Sequence, residues 1–358
     1  MNEFGIRYRI GVFGTSHGPC VGAKIEGCPA GARISEAVIQ AELDRRSPGR
    51  GPLATSRRER DRLEVMSGIR NGKATGGPIV GLVRNADTDS SAYDAFLRVP
   101  RPGHADYPAM IKYGGHHDHR GGGQFSGRMT AALVIGGAVA RQVLEKQEVM
   151  LLAQTVQIGK VKLDKDLPFS IAEKMVRASA VGCADRQTSE RMSAEIIKAH
   201  EEKDSVGGIV KCTVIGLPVG VGEPFFASIE SKVSEMMFSI PGVKGVEFGS
   251  GFRCAEMRGS EHNDPFTVRN GKVVSKTNNA GGILGGLSTG MPVEFRVAFK
   301  PTSSIAKPQM SVDIVEKKAV ELEIKGRHDP CIVPRAVPVV ENTTAAVILD
   351  LMLQGGFI

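Results

Sequence analysis

Apolar positions along the chain fall into two periods, and each period predicts a kind of element. Residues 7–13 and 23–26 read as strands joined by the loop 14–22. After Ser35, an N-cap residue type, Ile39, Leu43 and Arg46 fall at i, i+4 and i+7 and predict a helix of about three turns. An arginine on that apolar stripe either snorkels to solvent or points into a polar site. Residues 128–146 give the clearest helical pattern. Met129, Ala132, Leu133, Gly136, Val139, Ala140, Val143 and Leu144 keep its faces apolar, which predicts a buried helix. Further strands are predicted over 149–158, 208–215, 243–248, 293–299 and 319–324. Further helices are predicted over 171–178, 190–202, 228–238 and 339–352. Helices separate groups of strands without a repeating βαβ cadence, so the expected class is α+β with antiparallel sheets, not a doubly wound sheet.

No linker, low-complexity segment or short repeat interrupts the 358 residues, and one domain over 1–358 is expected. The 44 glycines fall in clusters, which places the site on long backbone-rich loops. The net charge of +7 favours an anionic partner. Arginines gather within 45–60 and 98–128, a distribution that suits a site better than a smeared electrostatic footprint. There is no Trp, and aromatics are 5% of residues, so stacking on single-stranded nucleic acid is poorly supplied. The six cysteines (Cys20, Cys28, Cys183, Cys212, Cys254, Cys331) form no CxxC pair, which argues against a zinc ribbon or redox pair. Free thiols in a cytoplasmic protein are expected. The N-terminal residues lack a signal-peptide apolar core, and the apolar stretch 131–143 is too short to span a bilayer, so no membrane is expected.

Six loops carry candidate chemistry. Residues 14–18 (Gly-Thr-Ser-His-Gly) allow close backbone approach and supply a hydroxyl at Ser16 and a titratable ring at His17. Residues 44–51 set Arg45, Arg46 and Arg50 around a Pro-Gly turn, forked donors for carboxylate or phosphate. Residues 101–107 place His104 beside Arg101. Residues 120–128 run from Gly121, Gly122 and Gly123 through Gln124, Phe125 and Ser126 to Arg128, directly into the buried helix. That order predicts a cradle of backbone N–H groups at a helix N-terminus, although it is neither a Walker A loop nor GxGxxG. His116, His117 and His119 stand just before it. Adjacent loop histidines seldom close a ligand set, and no metal is expected. Residues 278–290, with Gly285, and the turn Lys300, Pro301, Thr302, Ser303, Ser304 could line a pocket for a planar, phosphate-bearing cofactor. Residues 326–331 put Arg327, His328 and Asp329 side by side. Each loop alone reads as readily as polar surface. Together, without a DNA-binding motif, they favour a small phosphorylated anion over the competing reading, a basic nucleic-acid-binding protein.

These stretches, in this order, resemble the chorismate synthase family. The matching segments are FGTSHG (13–18), DRRSPGRG (44–51), RPGHADY (101–107), RGGG with Ser126 and Arg128, GVEFGSGF (245–252), AGGILGGLSTG (280–290), KPTSS (300–304) and GRHDPC followed by RAVPVVE (326–341). The resemblance implies a lyase of aromatic amino acid biosynthesis (the shikimate pathway). That lyase converts 5-enolpyruvylshikimate 3-phosphate to chorismate and phosphate by 1,4-anti elimination, with reduced FMN. It also implies a β-α-β sandwich with sheets flanked by helices, and a homotetramer. Some members reduce flavin with NAD(P)H; this chain shows no nicotinamide signature, and an external flavin reductase is expected.

Carried over residue by residue, the resemblance makes His17 the proton donor to the leaving phosphate. His104 would sit near the flavin N1/C2 carbonyl end, and Asp329 near flavin N5, assisting deprotonation. Ser16, Arg46, Arg50, Arg128 and Arg327 would hold substrate anions or flavin phosphate. Gln124, Phe125, Ser126, Gly285, Arg327 and the turn 300–304 fall at cofactor-binding positions. The chain departs from the common pattern at Thr15 (usually Glu), at Gln124-Phe125 (usually Arg-Ser) and at Pro241-Gly242 (usually Asn-Ala).

Overall fold

The computed structural model describes residues 2–47, 53, 61–86, 90–91, 93–324 and 329–358. Two five-stranded sheets dominate it. The first contains β1 (Glu3–Phe4), β2 (Arg9–Gly14), β3 (Cys20–Glu26), β4 (Leu63–Ser67) and β5 (Ile79–Arg84), in the order β1-β2-β3-β5-β4. The second contains β6 (Met150–Ile158), β7 (Val161–Lys162), β8 (Gly208–Ile215), β9 (Val243–Phe248) and β10 (Val293–Phe299), in the order β9-β10-β8-β6-β7. Every pairing within the two sheets is antiparallel, as the α+β expectation required. Alternation sets the faces: Val293, Phe295, Val297 and Phe299 of β10 point inward, and the residues between them are half-buried.

The helices are α1 (Glu36–Arg46), α2 (Asp106–Lys112), α3 (Thr130–Glu145), α4 (Phe169–Ala178), α5 (Arg186–Glu201), α6 (Ile229–Phe238) and α7 (Val333–Gln354). Helix α3 packs on β2, β3 and β5, α7 packs on β6 and β8, and the two helices pack on each other with α1 against both. The central helices therefore form a layer between the sheets. Among the described residues α7 is the one helix long and apolar enough to cross a membrane, and it is buried in this layer.

Small residues let α3 sit close to its neighbours. A Cβ on Gly137 would fall on the Asn342 carbonyl of α7, and one on Gly136 would meet the Ile10 side chain. Tyr8 Oη donates to the Gly136 carbonyl (2.7 Å), and Asp350 of α7 accepts the backbone N–H groups of Ile6 (3.1 Å), Arg7 (2.7 Å) and Tyr8 (2.8 Å). A buried ion network joins the three central helices. Glu341 of α7, fully buried, accepts from Arg45 (2.9 Å), Arg141 (2.7 Å) and the Ala153 N–H (2.9 Å). Burial pushes its pKa up, and the two guanidiniums outweigh that and hold it below the usual carboxylate range.

Helix α7 begins six residues earlier than the periodicity predicts. Pro334 and Pro338 hid its start: Pro334 is tolerated in the first helical turn, where N–H groups lack intrahelical partners, and Pro338 stands inside the helix.

Candidate active site

A cavity of about 570 Å³ opens where α3 and α7 both begin. Ile240, Phe299, Ile332 and Val339 form an apolar wall, and Arg46, Arg101, Arg128, Lys300 and Arg335 bring cations to the lining. The volume lies within the usual range for ligand sites, about 300–1,000 Å³.

One end is built from arginines. Arg46, on the last turn of α1, sends Nη1 to Asp61 (2.5 Å), Nε to the Thr130 hydroxyl (3.1 Å) and Nη2 to the Gly127 carbonyl (3.3 Å). Arg128 grips the other Asp61 oxygen and donates from Nε to Asn85 (2.9 Å) and from Nη2 to the Arg84 carbonyl (3.2 Å). Asp61 is fully buried, and burial pushes its pKa up, but the Arg46 and Arg128 guanidiniums bring it below the ordinary carboxylate value. A third guanidinium, Arg335 in the first turn of α7, pairs with Asp329 and donates to the Arg46 carbonyl (3.2 Å). Burial, then Arg335 and, against the pull of Asp61, Arg128 push the Arg46 guanidinium down to about 10. It remains a cation at neutral pH. Arg46 does not snorkel; the polar-site alternative is the one realised.

The two histidines flank the glycine turn. His17 is buried, its Nδ1 2.8 Å from Ser90 Oγ and its ring edge-on to Tyr93 at 5.2 Å. A Cβ on Gly121 would land on the His17 ring, and one on Gly122 would lie 3.3 Å from His104 Nε2. Gly121, Gly122 and Gly123 all take positive φ (60°, 81° and 53°). The Gly122 N–H is spent on the His119 carbonyl, and Gly123 O accepts the N–H groups of Ser16 and Ser126. Helix α3 starts only at Thr130. The triple glycine thus does not stand at the N-terminus of α3 as its order predicts, and one of its N–H groups is spent inside the loop. It is a tight turn stripped of side chains so that both imidazoles can pack on it.

His104 belongs to a second network. Its Nδ1 lies 2.6 Å from Asp106 Oδ1, and Arg101 forks onto the same carboxylate through Nε (2.8 Å) and Nη2 (2.8 Å). Burial pushes the Asp106 carboxyl up, but its bonds to Arg101 and His104 hold it well below the usual range. Arg101 also reaches Ser304 Oγ (3.1 Å) and stacks 4.5 Å over the Phe96 ring. At Thr15, the hydroxyl donates to Asp118 (3.0 Å), whose carboxylate also holds Arg120. A carboxylate thus stands beside the first loop, supplied from residue 118.

The turn 300–304 closes the cavity from the β10 side. Lys300 Nζ bonds the Gly103 carbonyl (2.6 Å) and Ser303 Oγ (2.6 Å), and burial, with Lys244 nearby, lowers its pKa. The Thr302 hydroxyl is buried with no hydrogen-bond partner among the described residues. Gln124, Phe125, Ser126, Pro241 and Gly242 also line the cavity, with Phe125 tilted against Tyr113 at 6.5 Å.

Of the residues singled out by sequence, Arg46, His104, Gln124, Phe125, Ser126, Arg128, residues 300–304 and Asp329 line this cavity, with His17 behind Gly121. Ser16 is buried beside His17. Gly285 sits at the tip of the hairpin Ile283–Leu284 / Leu287–Ser288, outside the lining. Arg50 and Arg327 lie outside the described residues. Cys331 is buried, which pushes its thiol up to about 12 and keeps it protonated. Among the described residues no three His, Cys, Asp or Glu side chains group as a metal site; His119 instead meets Asp94 (2.8 Å).

Asp61 and Arg335 were missed, and Asp106 was passed over within its motif. Arg335 had a signal: a lone arginine in an apolar stretch that begins a helix, where a cation runs against the dipole. The nucleic-acid reading meets a physical obstacle. Arg46, Arg101 and Arg128 are 3%, 6% and 6% exposed, too deep to reach a duplex backbone.

Comparison with known proteins gives a consistent result. The sequence profile of the chorismate synthase family matches residues 8–353. A chorismate synthase of Korarchaeum cryptofilum is 50% identical over 351 residues, covering 98% of this chain and 97% of its own. One of Methanococcoides burtonii is 46% identical over 357 residues, covering 100% and 97%. A crystal structure of chorismate synthase superimposes with a TM-score of 0.77 at 27% identity, covering 98% of this chain and 93% of that one.

Proposed function

The chain belongs to the chorismate synthase family, and from that premise we propose that it converts 5-enolpyruvylshikimate 3-phosphate to chorismate and phosphate with reduced FMN. The observation that carries the reading is the convergence of Arg46, Arg128 and Arg335 on one cavity whose glycine turn holds His17 and His104. The substrate brings two carboxylates and a phosphate, and forked guanidiniums suit each of them.

In the elimination one C–O bond and one C–H bond break and a ring double bond forms, with no net gain or loss of electrons. His17 gives a proton to the departing phosphate. Asp329, paired with Arg335 on the cavity wall, assists removal of the ring proton. Arg46 and Arg128, fixed through Asp61, hold the ring anions without rearranging as charge moves to the phosphate. The apolar wall of Ile332, Val339 and Phe299 excludes water.

The residues suit a flavin. The partnerless Thr302 hydroxyl, Lys300 and Ser303 form a polar turn fit for its phosphate or carbonyl oxygens, and Gln124 with Phe125 replaces a cation by an amide and a ring. When bound, reduced FMN supplies electron density that expels the leaving group and recovers it, so the protein's task is orientation and charge. The same reading makes the protein a cytoplasmic homotetramer served by a separate flavin reductase. The exposed rings of Phe225, Phe226 and Phe252 suit such an assembly.

The test is anaerobic turnover of the phosphorylated enolpyruvyl substrate with photoreduced FMN, following phosphate release. Release by the wild type and its loss in His17→Ala is expected. Equal, background-level release from both would overturn the reading.

A further inference from the structure

Strand β5 leaves its sheet at Arg84, opposite Cys20 at the start of β3, so the next residue, Asn85, comes to lie beside the loop that carries His17. Its amide nitrogen donates to the carbonyls of Thr15 (3.0 Å) and Gly18 (2.8 Å), the residues on either side of Ser16 and His17. Its amide oxygen accepts from Arg128 Nε (2.9 Å), and Arg128 Nη2 bonds the adjacent Arg84 carbonyl (3.2 Å). The backbone adds a further tie, from the Asn85 N–H to the Pro19 carbonyl (3.1 Å). A carbonyl only accepts and a guanidinium only donates, so these partners fix which way the amide points. Two donors and an acceptor are needed together at this reach. Asp lacks the donors, and Ser or Thr has one. Arg128 is clamped to Asp61 and, through it, to Arg46, so the far end of the tether is rigid.

We propose that Asn85 is a positioning residue: it ties the His17 loop to Arg128 and so fixes how far the imidazole stands from the cationic end of the cavity. Asn85 lies outside the cavity lining and acts through the two groups it holds. Without its side chain the loop 15–18 is free to shift against Arg128, and a displacement of about 1 Å between reacting groups costs about 100-fold in rate. The consequence for turnover rests on the lyase reading; the tether itself does not.

The measurement is amide hydrogen exchange of the ligand-free protein, read by mass spectrometry, beside steady-state turnover. Asn85→Asp is nearly isosteric, keeps an acceptor for Arg128 Nε and sets an oxygen against the two carbonyls. The Ser16 and Gly18 N–H groups are bonded in this loop. Exchange over residues 14–20 should quicken about tenfold, while the β8 segment 208–215 exchanges as in the wild type. In turnover kcat should fall about 100-fold, with KM for the substrate changed less than about fivefold because Arg46, Arg128 and Arg335 stay in place. Asn85→Ala removes both halves of the tether without adding charge. It should quicken the same loop and raise KM about tenfold as well as lowering kcat. Its exchange decides alone if Asn85→Asp does not fold. Loop exchange at the wild-type rate in either folded variant overturns the proposal, and so does a kcat at the wild-type level or a loss carried by KM alone. A wild type without turnover sinks the lyase reading, and the exchange comparison then still decides the tether.

Discussion

Gly136 and Gly137 are neighbours on α3, yet alanine should affect them differently. Both substitutions gain about 1 kcal/mol of helix propensity. At Gly136 the new Cβ meets the buried Ile10 side chain, Cδ1 at 2.5 Å, Cγ1 at 2.9 Å and Cγ2 at 3.0 Å, which must shift but does so without moving a helix backbone. At Gly137 it meets the backbone of α7, falling on the Asn342 carbonyl and 2.7 Å from the Asn342 Cβ. Carbon pairs rest near 3.5–4.0 Å, so the two helices must part by about 1 Å. That movement also stretches the Arg45 and Arg141 contacts to Glu341, now at 2.9 and 2.7 Å. Overpacking costs about 1–3 kcal/mol, and an obstacle made of helix backbone belongs at the top of that range. Gly136→Ala should therefore be the milder loss, and Gly137→Ala about 2 kcal/mol less stable than the wild type. Urea unfolding followed by circular dichroism at one protein concentration reads the difference directly. A Gly137→Ala midpoint equal to the wild type, or above that of Gly136→Ala, would refute the close approach of the helices.

Three further outcomes are expected. Asp61→Asn removes the shared partner of two buried guanidiniums and should cost about 3–5 kcal/mol at pH 7. Because the folded carboxyl is held below its unfolded value of about 3.9, that contribution is full above this pH and fades as pH falls through the folded pKa. The stability gap between variant and wild type should narrow in acid, and a gap constant with pH would count against it. Thr302→Val removes a buried hydroxyl without a partner, so stability should hold or rise slightly, while flavin affinity, read by difference absorbance, should drop about tenfold. Gly121→Ala drives a methyl into the His17 ring at a φ of 60°, and turnover should fall by about 100-fold even in a well-folded protein.

The elements that sequence made legible are those whose period is undiluted. Val293, Phe295, Val297 and Phe299 announce a strand, and the apolar faces of α3 announce a buried helix. Strand β5 was missed because Gly81 occupies an inward position between Ile79 and Val83. It is glycine there because Ile135 of α3 lies 3.0 Å from where a Cβ would be. The site divides the same way. Loops rich in glycine, arginine and histidine stand out in a sequence, and most converge on the cavity. Their counter-charges do not stand out. Asp61 lies at the edge of an arginine-rich run, and only the fold shows that Arg46, 15 residues back, and Arg128, 67 residues on, close on its two oxygens.

The glycine turn between the histidines has an implication for proton traffic. His17 touches it at Gly121 and His104 at Gly122, and neither glycine carries a group that could pass a proton along. The turn therefore acts as an insulator. A proton given up on the His17 side is therefore not returned along the turn, and Ser90 at its Nδ1 offers another route. Each imidazole then answers to its own neighbour, His17 to Ser90 and His104 to Asp106, and a change on one side of the turn need not reach the other.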